Sequence, residues 1–431
     1  MAMAQCGQAQ AYNSYPVTTR QDYQALDDAD PLREFRGRFT LPADGIYLDG
    51  NSLGALPAAT PARLQEVIAC EWGQGLVGSW NEAGWIEAPL RVGDKIGRLI
   101  GAQAGETAVA DSTSVNLYKL LSMALALRPQ RRVILSESDN FPTDLYMAQG
   151  LIAQLGRGHE LRLLPPGAGA DEVEAALGPE VAVLMLSHVN YRSGAMVPMR
   201  RLTRSAQAAG ALTLWDLAHS AGAVPLELAA DQADFAVGCG YKYLNGGPGA
   251  PAFLYVAARW HEQVVSPLAG WFGHAQQFGF SPAYAPAAGI ARTLCGTPPI
   301  LSLAALEVGV DLMLEAPMPV LREKSMALGE HFIELVEQRL AGAGFELASP
   351  RLARARGSQV CLRHPQAWPI CRALGARSVA GDFRGPDILR FGFTPLYTRY
   401  CEVWDTVEQL RQVMASGQWR EPQYAARLAV T

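Results

Sequence analysis

Three groups of polar residues in the middle of the chain carry side chains that could do chemistry. Asp216 follows the apolar run at residues 212–215, and His219 lies three residues further along. Lys242 stands among glycines and aromatic residues, 26 positions after Asp216 (242 minus 216). Residues 111–116 bring three hydroxyl groups together, directly ahead of a helical apolar pattern.

Each group suits one part of a reaction. A lysine in aromatic, apolar surroundings favours the neutral amine, which is a nucleophile able to form a Schiff base with a carbonyl. Hydroxyl groups before a helix place backbone amides and the positive end of the helix dipole toward an anion. Each group also has an ordinary explanation when taken alone: Asp216 and the hydroxyl group as helix caps, and Lys242 as an exposed turn lysine.

The elements around these groups alternate between short apolar strands and helical patterns. We expect strands at residues 133–135, 161–164, 181–186, 212–215 and 234–237, and helices at residues 117–127, 143–155, 171–177 and 200–209. Runs that are apolar throughout are typical of parallel strands buried on both faces. The sequence therefore predicts an α/β fold with a large doubly wound, mostly parallel sheet, whose ligands bind beyond the carboxyl ends of the strands.

The pattern changes near residue 320 to that of a smaller α+β domain. Helices are expected at residues 321–340 and 404–414, and strands at residues 345–347, 359–362 and 388–391. Residues 1 to about 30 are polar and aperiodic, which indicates a loose arm. We therefore expect an N-terminal arm (1–45), a large cofactor-binding domain (46–318) and a small C-terminal domain (319–431).

Composition narrows the classes of function. Hydrophobic residues make up 49% of the chain and charged residues 18%, as in ordinary globular proteins. The net charge of -5 argues against a nucleic-acid partner, because phosphate backbones select basic surfaces. The seven cysteines form no Cys-x-x-Cys pair, so no disulfide framework and no metal site is expected. With no signal-peptide pattern and no long apolar stretch, we expect a cytoplasmic protein without membrane contact.

Taken together, the three groups match the needs of pyridoxal 5'-phosphate (PLP). Its phosphate suits a helix N-terminus, its ring nitrogen needs a carboxylate to stay protonated, and its aldehyde needs a lysine. The chain order of phosphate loop, Asp216 and Lys242 is that of the PLP enzymes with the aspartate-aminotransferase fold, known as fold type I.

Several segments resemble the kynureninase family, which is related to the class V aminotransferases. They are residues 47–54, 140–144, 215–222, 240–249, 270–274 and 296–300. The resemblance spans roughly residues 40 to 400. It implies fold type I, PLP as cofactor, and a homodimer with shared active sites.

The resemblance also implies roles for individual residues. Lys242 binds the cofactor covalently, Asp216 pairs with its ring nitrogen, His219 lies beside it, and Tyr241 exchanges protons. Further cofactor contacts are implied for Thr113, Ser114, Phe141, Asp144, Ser187, Tyr241, Trp271 and Thr297. Of these, Trp271 and Thr297 are expected to reach the cofactor of the partner subunit. Substrate contacts are implied for Arg390, which grips the α-carboxylate, and for Trp80, Gly296 and Thr297.

The implied activity is the hydrolytic cleavage of L-kynurenine to anthranilate and L-alanine, in tryptophan catabolism. Trp80 and the Gly296–Thr297 pair match the bacterial pattern, so 3-hydroxykynurenine is expected to be the poorer substrate. The alternatives are a cysteine desulfurase or class V aminotransferase of the same fold, and a PLP-binding sensor without catalysis. A dinucleotide-binding enzyme is disfavoured, because the first strand is not followed by Gly-x-Gly-x-x-Gly.

Overall fold

The computed structural model describes residues 19–427, so residues 1–18 of the expected N-terminal arm lie outside the described residues. The α-helices are α1 Arg20–Ala29, α2 Thr60–Glu66, α3 Ser79–Glu82, α4 Ala88–Leu99, α5 Thr113–Leu127, α6 Pro142–Leu155, α7 Ala170–Ala175, α8 Met199–Ala208, α9 Ile300–Glu315, α10 Met318–Arg339, α11 Ala367–Gly375, α12 Tyr400–Ser416 and α13 Pro422–Ala425. Within this part of the chain, none of the helices is both long and apolar enough to span a membrane.

The strands are short, and the remaining helical turns are of other types. The strands are β1 Phe39–Thr40, β2 Ile46–Tyr47, β3 Leu56–Pro57, β4 Thr107–Val109, β5 Val133–Glu137, β6 Glu160–Leu164, β7 Val181–Ser187, β8 Leu212–Asp216, β9 Phe235–Gly238, β10 Phe253–Val256, β11 Glu346–Leu347, β12 Gln359–Arg363, β13 Val379–Ala380, β14 Asp382–Arg384 and β15 Ile388–Gly392. Short 3-10 helices lie at Arg33–Arg38, Leu76–Gly78, Ala258–Trp260, Trp271–Gly273, Gln277–Gly279, Gly289–Thr293, Ala353–Ala355 and Gln418–Arg420, and Val67–Gly75 is a π-helix.

Seven strands form the central sheet, in the order β4-β10-β9-β8-β7-β5-β6. The strands from β9 to β6 run parallel to their neighbours, whereas β10 pairs antiparallel with β4 and β9. The chain passes from β5 to β6 on one side and then to β7 on the other, so the direction of winding switches between β5 and β7. The prediction of a large, mostly parallel sheet is confirmed, and its ligand site is expected at this switch.

Alternate residues of the central strands face opposite sides of the sheet. Val183 of β7 packs in one hydrophobic cluster with Leu117 of α5. Its neighbour Leu184 packs in a second cluster with Leu202 of α8. Because both faces are covered by helices, the strands are apolar throughout, as the sequence pattern predicts.

A second, antiparallel sheet follows, in the order β11-β12-β15-β14. It packs with α10, α11 and α12 around a separate cluster that includes Phe332, Leu374 and Val407. β2 pairs with β13, and the amide of Gly392 donates to the carbonyl of Leu48 at 2.7 Å. The segment after β2 is thereby brought alongside the end of β15. The domain limits at residues 46 and 319 stay a prediction.

α1 corrects the prediction of a loose arm up to about residue 30. Thr19 caps the helix, and the Asp22 carboxylate accepts a 2.8 Å hydrogen bond from the Thr19 amide. Tyr23 is buried, and the Asp27 carboxylate accepts hydrogen bonds of 2.6 and 3.0 Å from two amides at the start of α12. The sequence of α1 is too polar and short to be helical alone, and its contacts with α12 stabilise it.

Candidate active site

Lys242 lies in the loop after β9, half-buried among aromatic and imidazole rings. Its Nζ is 3.0 Å from Nε2 of His219, and it lies 5.9 Å from the ring centre of Phe141 and 6.0 Å from that of Tyr241. Within residues 19–427, His219 is the hydrogen-bond partner of this amine, and no carboxylate pairs with it directly. The amine is therefore free to react with a bound carbonyl.

Gly54 sits against the backbone of the lysine loop. Its amide donates to the carbonyl of Tyr241 at 2.8 Å, and a Cβ at this position would lie 2.3 Å from the carbonyl oxygen of Lys242. Any larger residue would push the two segments apart, so glycine is required here. This contact brings the segment that follows β2 to the lysine.

Two carboxyl groups are buried together at the end of β8. Asp216 accepts a 2.7 Å hydrogen bond from the amide of Ala218, and its Oδ2 lies 3.4 Å from the hydroxyl oxygen of Ser187. Asp144, in the first turn of α6, is 1% exposed. Burial, and then the charge of Asp216, raise the pKa of Asp144 well above its usual value, and burial also raises that of Asp216 although Lys242 lowers it. Burial of the pair therefore favours the neutral carboxyl, most strongly at Asp144.

His219 and Tyr241 keep their neutral forms. Burial, and then the charge of Lys242, lower the pKa of His219 well below its usual value, so the ring stays neutral. The pKa of Tyr241 is raised by the neighbouring Cys239 and by burial, so its hydroxyl keeps its proton. The site thus combines a neutral imidazole, a protonated phenol and an amine.

Ser187 and Phe141 lie on the two sides of the switch between β5 and β7. The Ser187 hydroxyl donates to Oδ1 of Asn140 at 2.7 Å, which orients the hydroxyl beside Asp216. The Phe141 ring is 39% exposed and meets the ring of Tyr191 edge-on at 5.2 Å. An open aromatic face next to Lys242 suits the stacking of a flat ring.

The N-terminus of α5 carries the hydroxyl group singled out in the sequence. Ser112 is the N-cap, and its hydroxyl accepts a 3.4 Å hydrogen bond from the amide of Val115. Thr113 and Ser114 are half-buried in the first turn. The loop is tied to β10, because the amide of Ala252 donates to the carbonyl of Asp111 at 2.9 Å. The first-turn amides can receive an anion such as a phosphate.

Arg390, on β15, is fully buried in a polar cluster. Its Nε donates to Asp382 Oδ1 at 2.9 Å, and its Nη2 pairs with the second oxygen of Asp382. Nη2 also donates to the Ser52 hydroxyl at 2.7 Å, and Nη1 donates to the carbonyl of Tyr191 at 2.6 Å. Asp382 fixes one edge of the guanidinium, so a ligand carboxylate that meets the edge formed by Nη1 and Nη2 would replace Ser52 and the Tyr191 carbonyl as acceptors.

Asp49 adds a second carboxyl group beside this arginine. Its Oδ1 is 4.0 Å from Nη2 of Arg390. Burial, and then the charge of Asp382, raise the pKa of Asp49 to about 7. The net charge around the arginine therefore changes near neutral pH.

The remaining candidates do not join this cluster within the single chain. Trp271 is 40% exposed, and Gly296 and Thr297 are also exposed. Trp80 packs against Phe272, with ring centres 6.2 Å apart, and Phe272 packs against Trp271 at 5.0 Å. Among the described residues, none of these four candidates makes a hydrogen bond or ring contact with Lys242, Asp216 or His219.

The residues present fit PLP. Two buried polar atoms, Oδ2 of Asp144 and Nδ1 of His219, have no hydrogen-bond partner in the described part of the chain. An acidic pair near the sheet end suits a protonated ring nitrogen, and the Lys242 amine suits an aldehyde. The open ring of Phe141 and the α5 amides complete the set.

Four residues of the site have no role predicted from the sequence: Asp382, Ser52, Asn140 and Tyr191. Ser52 and Asn140 lie inside segments that carry the family resemblance, which was the available signal. Asp382 and Tyr191 contribute through an ion pair and a backbone carbonyl that only the folded chain brings to Arg390.

The raised pKa of Asp144 makes stability depend on pH in the absence of cofactor. A raised carboxyl pKa contributes stability that is present below the unfolded value, near 3.9, and lost as pH rises through the folded value. Asp144→Asn removes this ionisation. We therefore expect the variant to gain stability relative to the wild type as pH rises above about 4, by at most about 1.4 kcal/mol per pH unit.

Denaturant unfolding of the cofactor-free protein at a series of pH values measures this difference. Asp28→Asn, at an exposed position of α1, controls for the substitution itself. Parallel stability curves for the wild type and Asp144→Asn would show that Asp144 ionises normally.

Comparison with known proteins relates this geometry to a family. The model of the kynureninase C-terminal domain matches residues 321–410. Kynureninase from Burkholderia pseudomallei (strain 1106a) is 53% identical over 419 residues, which cover 96% of this chain and 100% of that protein. Kynureninase from Pseudomonas fluorescens is 51% identical with the same coverage.

Solved structures of lower identity share the fold. Cysteine desulfurase from Thermococcus onnurineus NA1 superposes with a TM-score of 0.75 at 19% identity, covering 89% of this chain and 98% of that one. A cysteine desulfurase from Escherichia coli gives a TM-score of 0.73 at 18% identity, with the same coverage. These likenesses show the fold of type I PLP enzymes. The identity over nearly the whole length of both curated relatives shows that the chain belongs to the kynureninase family.

Proposed function

We propose that this chain is a PLP-dependent hydrolase that cleaves the β–γ carbon bond of L-kynurenine, giving anthranilate and L-alanine. The observation that carries the proposal is the Lys242 amine, 3.0 Å from a neutral His219 and close to the buried acids Asp144 and Asp216. In a family whose curated members are kynureninases, this is the arrangement that the reaction needs.

Bound at this site, PLP supplies an aldehyde for amines and an electron-withdrawing ring that stabilises negative charge at the substrate α-carbon. Lys242 would hold the cofactor through its amine, and its free Nζ would serve as the general base for the α-proton. Asp216 would hold the positive charge of the ring nitrogen, and the buried Asp144 carboxyl lies close enough to influence its charge. The amide of Ala218 orients the Asp216 carboxylate, and the Ser187 hydroxyl lies beside it.

Tyr241 and His219 have complementary parts. The phenol of Tyr241 keeps its proton because its pKa is raised, so it can donate to the leaving carbon and recover the proton from water. His219 stays neutral, and its Nε2 accepts a hydrogen bond from the Lys242 amine. Thr113 and Ser114 bind the cofactor phosphate at the N-terminus of α5.

Arg390 binds the substrate α-carboxylate through Nη1 and Nη2. Asp382 holds the adjacent edge of the guanidinium, formed by Nε and Nη2, so the arginine enters the reaction already oriented. A bidentate contact of this kind gives both affinity and a fixed direction for the α-carbon. Arg384 adds a second positive charge to this cluster. Its Nη2 lies 2.6 Å from Asp382 and 3.2 Å from the Ser52 hydroxyl, two groups that also bind Arg390.

We also propose that two chains form a homodimer. Trp271, Gly296 and Thr297 are exposed in one chain, and large apolar side chains are exposed around Trp271, including Phe278 (66%) and Phe280 (83%). Exposed apolar surface of this kind is typical of an interface. In the dimer, Trp271 and Thr297 would reach the cofactor of the partner subunit.

The cellular setting that we propose is the cytoplasm. The cysteines between residues 19 and 427 are free thiols, and such thiols persist in a reducing compartment. The reaction belongs to tryptophan catabolism through kynurenine.

A cysteine desulfurase is the nearest alternative, because solved structures of that class share the fold. Such an enzyme needs a reactive thiolate near the cofactor. Cys361 lies in β12 and Cys371 in α11, and burial raises the pKa of both thiols to about 12. Neither of these two cysteines lies on a loop, so neither supports the desulfurase.

The decisive assay follows anthranilate fluorescence on addition of L-kynurenine, with L-alanine measured in parallel. We expect both products in equal amounts. For 3-hydroxykynurenine we expect a kcat/KM lower by at most about 100-fold, because an apolar site such as that proposed around Trp80 discriminates only modestly against an added hydroxyl. Sulfide from cysteine without anthranilate from kynurenine would contradict the proposal. A preference for the 3-hydroxy substrate would remove the roles given to Trp80, Gly296 and Thr297.

Asp382→Asn tests the grip on the substrate. Without the carboxylate, the guanidinium of Arg390 is no longer held in one orientation. KM for L-kynurenine should therefore rise roughly tenfold or more, and tenfold corresponds to about 1.4 kcal/mol of binding free energy. The visible absorbance of bound cofactor should stay unchanged. Asp387→Asn is the matched control, because Asp387 also pairs with two arginines, Arg192 and Arg363, but forms no ion pair with Arg390 among the described residues. Equal KM values for the Asp382→Asn variant and the wild type would show that Asp382 does not orient Arg390.

A further inference from the structure

Lys119 is a buried cation to which no role has yet been given. It lies in the second turn of α5 and is 0% exposed. Its Nζ is 2.7 Å from Oδ2 of Asp111 and donates to the carbonyl of Thr293 at 2.9 Å. Asp111 directly precedes Ser112, the N-cap of α5. One buried amine therefore joins the loop at the start of α5 to the segment that leads to Gly296 and Thr297.

The position of Asp111 poses two problems for an anion site. Its backbone φ is +51°, a left-handed conformation that residues other than glycine adopt only when their surroundings restrain them. Its side chain is 29% exposed and carries a negative charge one residue before the cap. An unpaired carboxylate there would repel a phosphate and offset the positive end of the helix.

Lys119 addresses both problems. Its ion pair offsets the negative charge of Asp111. The bonds from its amine to Asp111 and to the carbonyl of Thr293 restrain the loop at the start of α5. Burial lowers the pKa of Lys119 and Asp111 raises it, which fits a pair whose members depend on each other. The backbone of the loop is also bonded to Ala252, the residue before β10, whose amide donates to the carbonyl of Asp111.

We propose that Lys119 is a positioning residue for the phosphate of the cofactor, because it neutralises and restrains Asp111 at the N-terminus of α5. The proposal rests on the proposed function, which places PLP in this site. Lys119 itself does not touch the cofactor; it acts through Asp111. Its bond to Thr293 also fixes the start of the segment that carries Gly296 and Thr297.

The chain contains a matched control for this pair. Lys324, on α10, is 4% exposed, pairs with the buried Asp30 at 2.6 Å and donates to the carbonyl of Pro395 at 2.5 Å. Like Lys119, it binds one carboxylate and one backbone carbonyl. Unlike Lys119, it is not bonded to the loop at the start of α5. Lys324→Met therefore reproduces the loss of a buried ion pair without a change at α5.

The experiment strips the cofactor from the full-length protein and titrates it with PLP and with pyridoxal, which lacks the phosphate. We expect Lys119→Met to weaken PLP binding about tenfold or more, and pyridoxal binding much less. Lys324→Met should leave the ratio of the two affinities as in the wild type. In the double variant Asp111→Asn with Lys119→Met, which carries no charge at either position, most of the preference for PLP should return.

The outcomes separate the inference from the function. A Lys119→Met variant that keeps the wild-type preference for PLP over pyridoxal would overturn the inference, as would a double variant that binds PLP no better than Lys119→Met alone. If Lys119→Met does not fold, the double variant decides the question by keeping or losing that preference. A wild-type protein that binds neither compound would instead overturn the proposed function.

Discussion

Two neighbouring buried carboxyl groups, those of Asp144 and Asp216, determine which charge the rest of the site must supply. Asp144 and Asp216 cannot both ionise in low-dielectric surroundings without a cation, and their raised pKa values express that cost. Lys242 is the nearby charge that lowers the pKa of both. Once this amine is tied up in a covalent bond, a protonated ring nitrogen is the cation that restores the balance. The open ring of Phe141 and the neutral ring of His219 suit the same occupant.

The half of the site built on the central sheet could be predicted from sequence because its residues follow strands directly. Asp216 ends β8, and Lys242 follows β9 after a short loop, so an apolar run and the next polar residue locate both. The capped start of α5 was recognisable for the same reason. Parallel strands place their carboxyl ends at one edge, and the convergence of these residues follows from the topology.

The half of the site around Arg390 could not be predicted in this way. Ser52 and Arg390 are 338 positions apart, and the pairing of Arg390 with Asp382 depends on the antiparallel register of β14 and β15. Neither fact has a local signature. The helix α1 was missed for a related reason, since its stability comes from α12 rather than from its own composition. The proposed substrate contacts therefore depend on tertiary structure, whereas the proposed cofactor contacts depend mainly on local sequence.

The central claim is that the amine of Lys242 carries the cofactor. Borohydride converts a bond between lysine and an aldehyde into a stable amine, so the reduced holoprotein can be digested and its peptides weighed by mass spectrometry. The account predicts the mass of the reduced cofactor on the peptide that contains Lys242 and on no other. An unmodified Lys242, with the added mass on another lysine or on none, would contradict it.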